Sequence, residues 1–151
     1  MDATDAKILK ALSTNARAKA SAISGDINLS VSAVLERIRK LEDNGIISQY
    51  TTILDRKKLG FDITAWIEIK LSGTKHTDSF ADTVCALRNV VNLYYLTGEY
   101  DYLLEIVAAS QDELEDVHRQ ITSLDGVGNT ETHIVLRRLK ANSMPLSAYE
   151  V

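Results

Sequence analysis

Residues 28–42 read NLSVSAVLERIRKLE, and their apolar spacing decides how the first third of the chain folds. Val31, Val34, Leu35, Ile38 and Leu41 recur at i, i+3, i+4, i+7 and i+10, one stripe along a helix that Ser30 caps and Asn44–Gly45 stops. At about 100° per residue, Ser32, Ala33, Glu36 and Lys40 point away from that stripe, with Arg37 and Arg39 on its flanks.

Working back from this helix, Asn28 tolerates a positive φ and closes a tight turn where glycine is more usual. Before it, a second helix runs from near Lys19 to Ile27 with Ala22, Ile23 and Ile27 as its apolar positions. A first helix carries Ala6, Ile8, Leu9 and Leu12 on one side and is capped by Thr4 or Asp5. Three helices with a polar turn before the last form a helix-turn-helix pattern, whose final helix presents its outer face to the major groove of double-stranded DNA. In that geometry the short side chains at the helix start, Ser30, Ser32 and Ala33, let the backbone approach base edges. Arg37 reaches guanine acceptors and Glu36 accepts from cytosine N4. Lys40, Arg39, Lys19 and Arg17 meet phosphates, which hold register without reading sequence. An ordinary surface helix with its charges outside fits the same stretch; the three-helix order, the polar turn and the local charge favour DNA.

The charge is local. Residues 1–60 hold ten Lys/Arg against seven Asp/Glu, a net of +3, whereas residues 61–151 hold seven against fourteen, a net of −7. A basic first part joined to an acidic second part is the asymmetry expected when only the first touches nucleic acid. No apolar run is long enough to span a membrane, and the first residues lack the basic-then-apolar pattern of a signal peptide, so a cytoplasmic protein with no membrane partner is expected. Cys85 has no intrachain cysteine partner and reads as a buried structural thiol. After Gly45, residues 46–47 and 50–54 alternate like a linking strand. The Arg56-Lys57-Lys58 trio that follows reads as a solvated turn or as a second phosphate contact.

From Phe61 the period changes. Strands are predicted over 63–71, 90–97, 102–109 and 130–139, with helices over 78–87 and 111–124, the second opening on a Ser110/Glu113 capping box. The order β-α-β-β-α-β is the ferredoxin-like arrangement, so the chain is expected to be α+β, with a helix-turn-helix domain at 1–45, a linker strand and hinge at 46–60, and a βαββαβ domain at 61–151. Both sheet faces carry apolar residues: Ile63, Ala65, Ile67 and Ile69 oppose Trp66; Val91, Leu93 and Tyr95 oppose Tyr94 and Leu96; Leu104 and Ile106 oppose Leu103 and Val107. A sheet with helices on one side and apolar residues on both implies a homodimer through the open face, which suits a reader of two half-sites.

Five segments carry a family resemblance: DATDAKIL at 2–9, LSVSAVLERIRKLEDNGII at 29–47, LDRKKLG at 54–60, TGEYDYLLEI at 97–106 and LDGVGNTETHIVL at 124–136. In this order they resemble the Lrp/AsnC, or feast/famine, transcriptional regulators over nearly the whole chain. The resemblance implies a DNA-binding domain, a linking strand and a ligand-binding βαββαβ domain whose dimers often assemble into tetramers, octamers or rings. It also implies a small effector, typically an amino acid, bound near the turn after the second strand. On matching positions, Thr97, Gly98, Tyr100 and Asp101 line that site, with Thr130 and Thr132 contributed from a neighbour. Gly98 would allow close backbone approach, and Asp101 would pair with an ammonium. Read without the resemblance, the same turn is a hairpin whose Asp101 bonds its own backbone. Two departures stand out. Ile23-Ser24 and Asn28 replace the family's leucine-alanine pair and glycine, and Glu99 and Tyr100 place bulky side chains in the effector turn.

Two other functions compete with an effector-responsive regulator. One is an effector-independent architectural DNA-binding protein. The other, more remote, is an enzyme like the sirohaem decarboxylase subunits, which share this architecture. The three histidines, His76, His118 and His133, stand at no metal-ligand spacing, and no phosphate loop, dinucleotide fingerprint or nucleophile motif is present. Neither a metal, a cofactor nor catalysis is therefore expected.

Overall fold

The computed structural model describes residues 1–73 and 77–139, the side chains of Thr77 and Asp78 apart. The expectations for His76 and for residues 140–151 of the second domain lie outside these. The described residues form two compact units, 1–53 and 54–139.

The first unit holds α1 (Ala3–Thr14), α2 (Ala20–Ile27) and α3 (Val31–Asp43). Ile8, Leu12, Ile23, Val34 and Leu41 form its buried core, with Leu9, Ile27, Ile38 and Ile47 packed against them. Asn28 adopts φ 54°, ψ 45°, the left-handed conformation that ends α2 within one residue, and Ser30 Oγ accepts from the Ala33 N–H to start α3. The cap of α1 is neither Thr4 nor Asp5. Asp2 takes that place, accepting from the Asp5 N–H, while the Asp5 carboxylate accepts from the Asp2 N–H. The α3 stripe is also narrower than its apolar spacing suggests. Val31 and Leu35 are exposed, because the core is already closed by Val34, Ile38 and Leu41. Residues 48–54 form no strand: none of the described strands pairs with them, so their backbone has no ladder to join. Tyr50 is tied back instead. Its hydroxyl donates to Glu42 Oε1 at 2.8 Å, and burial together with that carboxylate pushes the phenol pKa up to about 12.

The second unit begins with a 3-10 turn (Lys57–Leu59) and continues as β1 (Ile63–Leu71), α4 (Thr77–Cys85), β2 (Val90–Tyr95), β3 (Tyr102–Ala108), α5 (Gln111–Thr122) and β4 (Val127–Ile134). The sheet order is β2-β3-β1-β4, every neighbouring pair antiparallel. Alternation along β1 and β3 buries Ala65, Ile67, Ile69, Leu104 and Ile106 with Phe80 of α4 and Leu114, Val117 and Ile121 of α5. Fully burying each large aliphatic side chain contributes about 1.5–3 kcal/mol, which makes this the principal core of the unit. β4 runs three residues earlier and ends five earlier than its sequence suggests. Its place is set by β1, whose Glu68 and Lys70 face Glu131 and Asn129. Gly128 sits at a close approach there: a Cβ would lie 3.0 Å from Ser72 Oγ and 3.2 Å from the Lys70 carbonyl oxygen, so a side chain would push on both.

The open face of the sheet is mixed rather than apolar. Trp66 and Tyr94 stack with ring centroids 6.3 Å apart, beside the half-buried Leu103, but Glu68, Lys70 and Glu105 share the face. A bulge between Val90 and Asn92 leaves Val91 unpaired and exposed rather than in the row of Leu93 and Tyr95. Glu105 is buried and paired, one oxygen accepting from Arg56 at 2.6 Å and the other from Asn92. Arg56 thus serves neither reading of the basic trio; Lys57 and Lys58 remain exposed. Cys85 is exposed at the end of α4, contrary to its apolar flanks, because Val84 takes the core position. The Glu113 side chain caps one residue earlier than a capping box requires, accepting from the Ala109 N–H and also from Asn89.

Two predictions follow from these contacts. Asn28→Ala should lower the stability of the first unit by about 1 kcal/mol, since alanine resists the left-handed region, while Asn28→Gly should be close to neutral; urea melts of the three proteins measure both. Burial alone would raise the Glu105 pKa, but Arg56 and Asn92 together hold it below the ordinary value of 4.5. A carboxylate with a lowered pKa stabilises the fold above that value and loses its contribution as pH falls through the folded-state pKa. Glu105→Gln should therefore be less stable than wild type at pH 7, with the gap closing below about pH 4.5; a gap independent of pH would refute the pairing.

Candidate nucleic-acid interface and effector turn

Helix α3 presents two parallel ridges on its outer side, Val31–Leu35–Arg39 and Ser32–Glu36–Lys40, each built from i, i+4 steps. All six side chains are exposed, and Ala33 is half-buried beside them. Ser30 and Ser32 hydroxyls lie 3.1 Å apart at the helix start. Lys40 Nζ meets Glu36 Oε1 at 2.8 Å, and Arg39 meets Asp43 at 3.7 Å. The Lys40 contact holds the Glu36 carboxyl below its ordinary range. Exposed pairs of this kind are weak and screened, so a phosphate can displace the carboxylate from either cation. Arg17 and Lys19 are exposed on the segment before α2, where the Arg17 N–H donates to Asn15 and Lys19 occupies the N-cap without a side-chain bond.

Arg37 departs from its expected place among the base readers. It sits three residues after Val34 and four before Leu41, so it belongs to the row beside the core and reaches α1. Its Nη1 donates to Asp2 Oδ2 at 2.8 Å and to Asp5 Oδ1 at 2.7 Å, the two carboxylates of the α1 capping box. Hydrogen bonds to Asp5 and Asp2 raise the guanidinium pKa further above its already high value. Negative charge at a helix N-terminus is favourable in itself, and the guanidinium closes the cluster. Arg37 therefore braces α3 against α1.

The turn between β2 and β3 is held at its far end by Asp101. Its Oδ2 accepts from the Leu71 N–H at 2.8 Å and its Oδ1 from Lys70 Nζ at 3.2 Å, while its own N–H donates to the Ile69 carbonyl at 2.8 Å. The Leu71 N–H and then Lys70 keep the carboxyl below its ordinary range. Each oxygen thus accepts one hydrogen bond, and through them Asp101 ties the turn to β1. Gly98, at φ 124°, takes a backbone conformation that side chains resist. Thr97, Gly98 and Glu99 are exposed. Tyr100 reaches β4, its hydroxyl donating to Glu131 Oε2 at 3.0 Å, and that carboxylate raises the phenol pKa. Thr130 and Thr132 pair with Ile69 and Ile67 and share their helix-side face, opposite to Glu131. Within one chain they do not join Tyr100.

Sequence spacing missed one cluster. Glu68 and Glu131 face each other across β1 and β4, and His133 Nε2 lies 3.3 Å from Glu68 and 3.6 Å from Glu131. The three donor atoms fall within 4.8 Å of one another. They come from strands some sixty residues apart, so no local motif could announce them.

Comparison with known proteins fits this architecture. Residues 1–42 match the AsnC-type helix-turn-helix domain and residues 64–145 the Lrp/AsnC ligand binding domain. The chain is 34% identical over 140 residues to an uncharacterized HTH-type transcriptional regulator of Pyrococcus horikoshii, covering 93% of this chain and 94% of that protein. The structure of AsnC from Escherichia coli superposes with a TM-score of 0.88 at 30% identity, over 95% of this chain and 97% of that one. A Neisseria meningitidis transcriptional regulator solved as its L-Met complex gives 0.92 at 31% identity, over 98% of each chain. With both of its units matched and its relatives named as regulators rather than enzymes, the chain belongs to the Lrp/AsnC family of transcriptional regulators.

Proposed function

We propose that this regulator binds double-stranded DNA sequence-specifically through α3 and that a small effector, an amino acid, changes its assembly and its grip on DNA. The observation that carries the reading is the anchored turn at 97–101 in a unit matched as a ligand-binding domain. Asp101 fixes the turn to β1, which leaves the backbone of 97–100 to receive a carboxylate; among the described residues no hydrogen bond is donated by those four N–H groups. The similar Neisseria meningitidis protein was solved with L-Met, which supports an amino-acid effector for this chain too. Thr97, Gly98 and Tyr100 would line the site, with Thr130 and Thr132 supplied by a neighbouring copy, since their own chain directs them to the other face.

The open sheet face supports a homodimer. Tyr94 is 46% exposed and stacked on Trp66, and a second copy would bury both. Dimers would then join into a tetramer or octamer. An effector alters such an assembly only where its affinity differs between the two states. A protein that regulates transcription works where the DNA is, which in a cell without a nucleus is the cytoplasm. No described helix is long and apolar enough to cross a membrane.

The direct test is the thermal melting shift of the pure protein against the twenty amino acids, with mass by light scattering for each hit. A selective stabilisation with a change in mass supports the reading; no shift for any amino acid favours effector-independent DNA binding. Asp101→Ala should abolish that shift while leaving duplex affinity unchanged, because the turn loses its anchor and α3 is untouched. Lys40→Ala should weaken binding to all duplexes by the same factor and reduce the slope of log affinity against log salt by about 1.

A further inference from the structure

Val31 is 42% exposed and Leu35 53%, one turn apart on the first outer ridge of α3. Neither belongs to the core of its unit. Both lie in the N-terminal part of the helix, beside Ser30, Ser32 and Ala33, whereas the exposed cations Arg39 and Lys40, each in a surface ion pair, lie toward its C-terminal end. Arg37, the cation suited to guanine acceptors, is already engaged by Asp2 and Asp5, and Glu36 stands on the other ridge, beside Lys40. What the first ridge offers a base pair is two branched aliphatic groups, beside the small hydroxyls of Ser30 and Ser32. Of the four bases, only thymine presents an apolar group in the major groove, its C5-methyl.

We infer that Val31 and Leu35 are specificity-determining residues that read thymine methyl groups in the major groove, so that the target sequence carries thymine at the positions facing them. This rests on the proposed DNA-reading role of α3. Arg39, next on the same ridge, supplies the cation that meets the flanking phosphate and sets the ridge along the groove. Displacement of water from an aliphatic side chain and a methyl group rewards thymine and gives nothing to the other bases.

The test selects bound duplexes from a random-core library with full-length wild type and with Leu35→Ala, then replaces each selected thymine in turn by deoxyuridine, which removes only the methyl. Wild type should lose about fourfold in affinity at the thymine facing Val31 and as much at the thymine facing Leu35, the factor for about 0.8 kcal/mol of apolar group removed. Leu35→Ala should bind the thymine and deoxyuridine duplexes equally at the position facing Leu35, while Val31→Ala should lose discrimination at the thymine facing Val31. Both side chains are exposed, so matched melting temperatures will show that the variants fold. If wild type selects a sequence but no deoxyuridine replacement weakens it, the inference is overturned and the DNA-reading role stands. If Leu35→Ala keeps the wild-type preference but changes in mass, Leu35 belongs to a protein interface and the inference is again overturned. If wild type selects no sequence, both fail.

Discussion

Strand β1 must satisfy two neighbours and two faces at once, and the second unit is built around that constraint. It pairs with β3 on one side and β4 on the other, so its backbone is spent on both ladders. Its inner row, Ala65, Ile67, Ile69 and Leu71, meets both helices through the core. Its outer row places Trp66 against Tyr94, Glu68 against Glu131, and Lys70 on Asp101. A one-residue slip would exchange the two rows, burying Glu68 and Lys70 and exposing the isoleucines. The register of one strand thus fixes the core, the open face and the anchor of the turn together.

In the first unit the equivalent constraint is ionic. Asp2 and Asp5 satisfy the leading N–H groups of α1 and also hold Arg37, so the start of one helix and the orientation of another depend on the same pair of carboxylates. That use of Arg37 frees α3 of its most nearly buried charge. The outer ridges keep only side chains that solvent, phosphate or a base can reach.

Much of this was legible in the sequence because it depends on near neighbours. Asn28 and Ser30 specify the turn and the cap through bonds that span four residues or fewer, and the change from a helical to a two-residue period marks the order of the second unit. What escaped depends on partners distant in the chain. Arg37 looked like a groove reader because its carboxylates lie 32 and 35 residues upstream. Val31 and Leu35 fit the apolar stripe, yet a short helix packed on two others has no room for its full width. Residues 128–133 alternate weakly, being almost all polar, so β4 could be placed only by its partner β1. The anchoring of Asp101 was equally hidden, because the Leu71 N–H that donates to it lies thirty residues away.

Cys85 offers the chain's single sulfhydryl, and it stands exposed at the end of α4. In the absence of reductant, two copies joined by an S–S bond would double the apparent mass with no packed interface between them. Scattering masses therefore report association only when the thiol is kept reduced or replaced by serine. The same residue has a use as well: one spin label per chain yields one distance across a two-fold axis, a direct ruler for whether an added amino acid rearranges the pair.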